Sequence, residues 1–405
     1  MLTKEISNHN FKAFLWHAVF LAFAKNFMDV DTVIPAMVVE AGGGAIHIGI
    51  LTAIMLGGSS FSQLFFAPYL SNNPFKKKFL LGAINARVSA LFGLSALFLL
   101  FSGRQQENLL WMVFFFITVF SLAGAFANIS YNDIFGKSVN QEERKTFFSL
   151  VQIIGGIVVL IGAFLAKQVL VWKEFPANYA LMFLFGAGLL LIATAGFWSL
   201  KEIVPSTLKI SGVRAFARVM KTELKRNKRL GYFLGYVNTQ GVAISFLPFV
   251  MLYAKETFAT ESSDTGFFLI CKVIGMVSVS LVVFIGAQRV KYRWLLYSGF
   301  LISMCLVFLA LVVDSAFGLK YIFVIGGVAF SLYSISMKGV LLEISGTENR
   351  ALYTGFAGAG NILPALFPLL GGTIISHFGF QTLFVLYLPI IASAAYFICR
   401  IDCRK

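Results

Sequence analysis

The chain has 405 residues, 58% of them hydrophobic and 13% charged, with a formal net charge of +15 and a mean hydropathy of +0.83. A water-soluble domain of that length could not hide so much apolar surface, because surface-to-volume scaling leaves most of its side chains near water. Lipid removes the conflict, provided that backbone polar groups are satisfied within helices or a closed barrel.

The apolar runs are about 20 residues long, not the ten-residue alternating segments of a membrane barrel, so they predict an all-α integral membrane protein. Twelve spans are expected. In chain order they fall at about 12–39, 46–70, 78–101, 109–131, 147–171 and 178–199. After a basic linker the remaining six fall at about 230–254, 265–287, 294–313, 319–341, 352–376 and 380–399. The chain thus divides into an N-terminal six-helix bundle (1–199), the linker (200–229) and a C-terminal six-helix bundle (230–405). The first run carries internal charges and has no small-residue cleavage site after a short core, so it reads as a retained span, not a signal peptide.

Basic residues cluster on one set of loops, including Lys76, Lys77, Lys78, Lys137, Arg144, Lys338, Arg350 and nine more in the linker. The opposite loops and their edges hold only Arg104, Lys167, Lys173, Lys255 and Lys320. This is the positive-inside pattern. It assigns the charge to topology in place of nucleic-acid binding, and puts both termini in the cytoplasm of a multi-pass cell (inner) membrane protein. In the linker, Ile210, Val213, Phe216, Met220 and Leu224 recur at helical spacing among basic residues. They predict either an amphipathic helix on the anionic headgroups of membrane lipids or a solvated basic connector.

Two stretches repeat. VIPAMVVEA around Pro35 matches FLPFVMLYA around Pro248, and SVNQEERKTFFS after span 4 matches EISGTENRALYTG after span 10, aligning Arg144 with Arg350. Their order and topological positions indicate a duplicated six-helix unit.

Intramembrane ionisable residues are costly and mark function by default. Span 1 holds three: Lys25, Asp29 and Asp31. Lys25 and Asp29 are four residues apart and on one α-helical face, where they pair or merely neutralise each other. Asp31 points elsewhere and lies nearer the outer end, where it couples an ion or lines an entrance. Pro35 cannot donate to the carbonyl of Asp31 and leaves a kink with a free acceptor. Charge and broken backbone at one depth suit a cation or substrate site. Arg87 in span 3 either balances a span 1 aspartate or snorkels to the cytoplasmic face. Lys272 in span 8 answers Asp29 or Asp31, attracts an anionic solute group, or snorkels. Asn26, Asn128, Gln152, Asn238, Gln240, Tyr333 and Asn361 are uncharged cavity candidates, each as able to join helices as to bind solute. Asp133, Lys338 and Glu343, near cytoplasmic span ends, are expected to form gate or loop ion pairs with Arg144 and Arg350.

The 6 + 6 arrangement, the long basic central loop and the paired loops carrying Arg144 and Arg350 resemble the major facilitator superfamily along the whole chain. The family's signature loop between spans 2 and 3 reads APYLSNNPFKKKF here. Lys76, Lys77 and Lys78 supply its basic cluster, while Asn72 or Asn73 stands at the aspartate position and the glycines are missing. The resemblance implies alternating access of two bundles about a mid-membrane site, a small-molecule solute and a monomer. The leading expectation is a secondary active transporter of a small polar or charged solute, coupled to protons or sodium through the span 1 carboxylates. A proton-coupled exporter of amphiphilic drugs is the alternative. A membrane enzyme is disfavoured, because the four histidines and four cysteines show no metal-ligand spacing and no nucleophile–base pair or phosphate loop is seen. Nothing indicates a bound cofactor.

Overall fold

The computed structural model describes residues 2–100, 106–206, 212–286, 290–345 and 350–401. Arg104, Ile210 and residues 346–349 of the loop after span 10 lie outside the described residues, as does the side chain of Arg350. Among the described residues the regular structure is helical, with no strand.

Span 1 is a broken helix: α1 (Lys4–Ala24), a 3-10 turn (Lys25–Met28) and α2 (Val33–Glu40). Then come α3 (Ala45–Ser71), α4 (Lys77–Leu100), α5 (Gln106–Ser138), α6 (Gln141–Trp172) and α7 (Ala177–Ser199). The linker contains α8 (Gly212–Arg226). Span 7 repeats the break of span 1: α9 (Lys228–Gln240), a 3-10 turn (Gly241–Ser245) and α10 (Phe246–Phe258). The chain ends with α11 (Ser262–Ile285), α12 (Tyr292–Val312), α13 (Ala316–Ser345), α14 (Arg350–Ala359) and α15 (Leu363–Arg400).

Prolines set the two restarts. Pro35 and Pro248 are each the third residue of the resumed helix. There the missing N–H is one that a helix leaves without an intrahelical partner in any case. In α15 the break is at Gly379, whose φ of 81° belongs to the left-handed region that glycine enters without a Cβ clash. Among the described residues nine helical stretches are long and apolar enough to cross a membrane.

The chain forms two compact units. One comprises Met1–Asp29 and Phe61–Arg218; the other comprises Val30–Ser60 and Val219–Lys405. In the first, α1 packs on α6 and α7, and α4 on α5 and α7. In the second, α13 packs on α11 and α12, α15 on α9 and α12, and α2 on α10 and α11. The second half of the broken helix, α2, therefore belongs with the C-terminal helices.

The α11–α13 contact depends on glycine. A Cβ at Gly275 would run into the carbonyl of Val324, and one at Gly327 would run into the carbonyl of Lys272. Small residues let membrane helices approach backbone to backbone, and here that approach fixes Lys272. In the linker, α8 presents Arg214, Arg218, Lys221, Lys225 and Arg226 outward and buries Phe216.

Candidate functional site

Beyond Ala24 the chain leaves the α-helical register. Lys25–Met28 is a 3-10 turn and Asp29 is extended, with φ −64° and ψ 127°. The α-helical phase that would align Lys25 with Asp29 is absent, and the same change turns Asp31 inward. Asp31 is only 3% exposed, in place of facing an entrance. Its carboxylate lies 2.5 Å from Nζ of Lys272, itself 3% exposed. The ammonium also lies 5.7 Å from the ring centroid of Phe330. Both ions sit in the second compact unit, at the foot of α2 and the middle of α11. A pair removed from water recovers its desolvation cost only in part, so its retention is poorly explained by stability.

Toward the far end of α2, Glu40 lies 2.5 Å from Nζ of Lys255 on α10 and accepts from the hydroxyl of Ser262 at the start of α11. This second tie was not anticipated. Glu40 and Lys255 lie 215 residues apart in sequence, and no periodicity relates them.

In the first unit, Lys25 is exposed and Asp29 half-buried. Asn26 is buried and donates to the carbonyls of Ala22 and Phe23 on its own helix. His17 faces the carbonyl of Ala193 at 3.2 Å and stacks on Phe197, centroids 3.9 Å apart. Arg87 places its guanidinium carbon 4.2 Å from the ring centroid of Phe120 on α5. Asn128 and Gln152 are exposed.

Several uncharged candidates in the second unit hold helices together. Asn238 accepts from the backbone N–H groups of Ile362 and Leu363, at 3.0 and 2.8 Å, and donates to the carbonyls of Gly360 and Leu234. It thereby satisfies the break between α14 and α15. Gln240 donates to Ser303 and to the carbonyl of Gly299, while its Oε1 is buried without a partner. Asn361 donates to Ser60 and leaves Oδ1 buried and unpartnered. Tyr333 is buried, its hydroxyl 2.9 Å from where a Cβ on Gly241 would stand. Gln240 and Asn361 thus each keep an amide oxygen without a partner, and Tyr333 lies against Gly241 of the second 3-10 turn.

Of the helix-end charges, Asp133 pairs differently from the sequence expectation, while pairing with Arg350 falls on a side chain outside the described residues. Asp133 binds Lys76 at 2.8 Å and Lys137 at 3.0 Å, not Arg144. Arg144 donates to the carbonyls of Val139 and Gly136. Glu343 pairs with Arg229 at 2.8 Å. Lys338 is exposed and makes no ion pair or hydrogen bond among the described residues. Sequence reasoning missed Glu202. Its carboxylate accepts from the backbone N–H groups of Lys76 and Lys77 at the start of α4, at 2.7–2.9 Å, and pairs with Lys137 at 2.8 Å. Anions are favoured at helix N-termini, and the carboxylate absent from Asn72 and Asn73 arrives from the linker instead. Burial pushes the Lys76 ammonium below the usual lysine range, against the opposing pull of Asp133.

Residues 15–359 match the Major Facilitator Superfamily. Among solved structures, the chain is similar to that of a point mutant of the nucleoside transporter NupG. The TM-score is 0.68 at 15% identity, covering 97% of this chain and 100% of that one. A second NupG crystal structure gives a TM-score of 0.63 at 15% identity, covering 98% and 100%. At this identity the likeness is one of fold. No relative matches among curated proteins.

Proposed function

The chain belongs to the Major Facilitator Superfamily, and we propose that it is a secondary active transporter of a small polar or charged solute, working by alternating access of two six-helix repeats. In this reading twelve spans cross the cell (inner) membrane with both termini cytoplasmic, and a proton or sodium gradient drives transport through the span 1 carboxylates.

The observation that carries the coupling is the Asp31–Lys272 pair, 2.5 Å apart and nearly sealed from solvent. A proton or sodium ion arriving at Asp31 cancels its charge and frees Lys272, which must then find another partner or move. Binding of an ion is thereby linked to the position of α11 against the foot of α2. Such a switch needs two arrangements of similar energy, and a desolvated pair whose attraction repays its burial only in part keeps them close. Asp29, half-buried two residues earlier, belongs to the same proposal as a second carboxylate on the path.

The test separates driving from carrying. In proteoliposomes, Asp31→Asn is expected to abolish accumulation against a gradient while retaining solute exchange at equal concentrations. Full accumulation by that variant would remove Asp31 from coupling. Imposing a proton gradient and a sodium gradient separately on the unaltered protein identifies the ion.

A further inference from the structure

We infer that Arg87 recognises an oxyanion on the transported solute, a carboxylate or a phosphate; the inference rests on the transporter reading above. Arg87 is half-buried and lies at helical spacing between Ile84 and Leu91 of the buried stripe of α4, where the helix packs against its neighbours. Every other position of that stripe is apolar or small. A guanidinium stays protonated throughout the accessible pH range, so this charge cannot be removed by losing a proton.

Its surroundings do not neutralise it. Among the described residues Arg87 makes no ion pair and no hydrogen bond, and its Nε is shut off from solvent without a partner. Its one close aromatic neighbour is the face of Phe120, which attracts a cation but accepts no conventional hydrogen bond. Glycine at 124 keeps one edge open. A methyl group there would lie 3.4 Å from Nε and 3.5 Å from Cζ.

Depth excludes snorkelling. The Lys76–Asp133 contact marks one common end of α4 and α5. Arg87 lies about 15 Å farther along α4, and Phe120 about 20 Å along α5 from Asp133. Beyond Arg87, α4 continues for about 20 Å to Leu100. The guanidinium therefore sits near the middle of both helices, in hydrocarbon about 30 Å thick. A permanent cation held there without a counter-ion marks a place for an anion to arrive. The planar fork of arginine suits two parallel bonds to a carboxylate or phosphate. Lys25 and Arg87 both act through space on His17, so span 1 brings a second cation toward the same region. Lys272 is already engaged by Asp31, which leaves Arg87 with its hydrogen-bonding capacity open.

Thermal unfolding of the purified full-length protein, with sodium salts of inorganic phosphate, succinate, pyruvate, a uronic acid and a sugar phosphate against uncharged sugars and nucleosides, tests this. At least one oxyanion should raise the melting temperature of the unaltered protein. Arg87→Gln should weaken that anion about 10- to 100-fold, the range for a charge-assisted hydrogen bond. It should leave the melting temperature without ligand equal or higher, since a half-buried cation whose Nε has no partner is removed. Gly124→Val, which keeps the charge but covers its edge, should also weaken the anion. If no oxyanion stabilises the unaltered protein, or if Arg87→Gln leaves anion affinity unchanged, the inference fails. A large loss of ligand-free stability in Arg87→Gln would make the residue structural and overturn it as well. A parallel series in detergent with added phosphatidylglycerol identifies the other source of phosphate: stabilisation by the lipid alone, lost in Arg87→Gln, would overturn a soluble solute. An anion that binds through Arg87 yet shows no exchange in proteoliposomes would leave the site standing and defeat the transporter reading instead.

Discussion

The salt bridge between Asp31 and Lys272 shows how much a single register change decides. A helix wheel run through Asp31 at about 100° per residue places it away from Asp29 and toward the outer vestibule. The 3-10 turn and the extended Asp29 reset that phase, and Asp31 enters the second unit to meet Lys272. That span 1 and span 8 carry opposite charges is plain from the sequence. Which carboxylate is used is not, because the answer depends on where the helix breaks. The energetics of the pair follow from burial. Lys272→Met takes the ammonium away from a carboxylate in a site from which water is nearly absent, and should cost about 3–5 kcal/mol, the range for breaking a buried ion pair. Asp31→Asn combined with Lys272→Met removes both charges and should recover most of that loss. Thermal and denaturant unfolding in detergent of the two single variants and the double variant measures the coupling between them. If the double variant is as unstable as the sum of the singles, the two groups do not act on one another.

At the scale of elements, the two broken spans are the most readable feature and the tie beside them the least. Pro35 and Pro248 announce both breaks, since each helix restart has proline in its first turn. The matching motifs therefore report a shared local structure. What closes the neighbouring break, between α14 and α15, is the side-chain amide of Asn238, more than a hundred residues away in sequence. In the sequence Asn238 looks like any other intramembrane amide, equally suited to solute or helix. Only the folded chain shows that both its acceptor and its donor capacities are spent on backbone. Asn238→Ala should therefore behave as a structural lesion. It orphans the N–H of Leu363 and takes one of two bonds from the N–H of Ile362 and from the carbonyl of Gly360, and should lower stability by about 1–3 kcal/mol. Solute affinity measured well below the melting temperature should change little. Unchanged thermal stability together with a large loss of affinity would return Asn238 to the solute site. Glu202 makes the same point from a loop: a carboxylate that caps α4 from the linker has no sequence neighbour to announce it.

For the whole molecule, hydropathy made the class legible and left the count of crossings to geometry. Composition, the basic loops and the paired motifs were enough for an all-helical membrane protein. Helix ends were harder, because a bilayer selects apolar composition and does not mark where one crossing passes into the next. The last stretch, Tyr353–Arg400, runs for 48 residues. At about 1.5 Å per residue it would extend about 70 Å as one helix, more than twice the hydrocarbon thickness. One crossing cannot use that length, whereas two can if the chain turns near Gly379, where the helical φ/ψ pattern is broken. His377 and the largely exposed Phe378 adjoin that turn. Phe378→Cys, in a chain whose four natural cysteines are replaced by serine, should react with a membrane-impermeant maleimide added to intact cells. Lys221→Cys, at an exposed position on the basic face of α8, should react only after the membrane is opened. If both positions label only after permeabilisation, the final stretch does not turn on the outer side. The even number of crossings proposed above, and with it the proposed cytoplasmic placement of both termini, would then have to be rebuilt from a different pairing of helices.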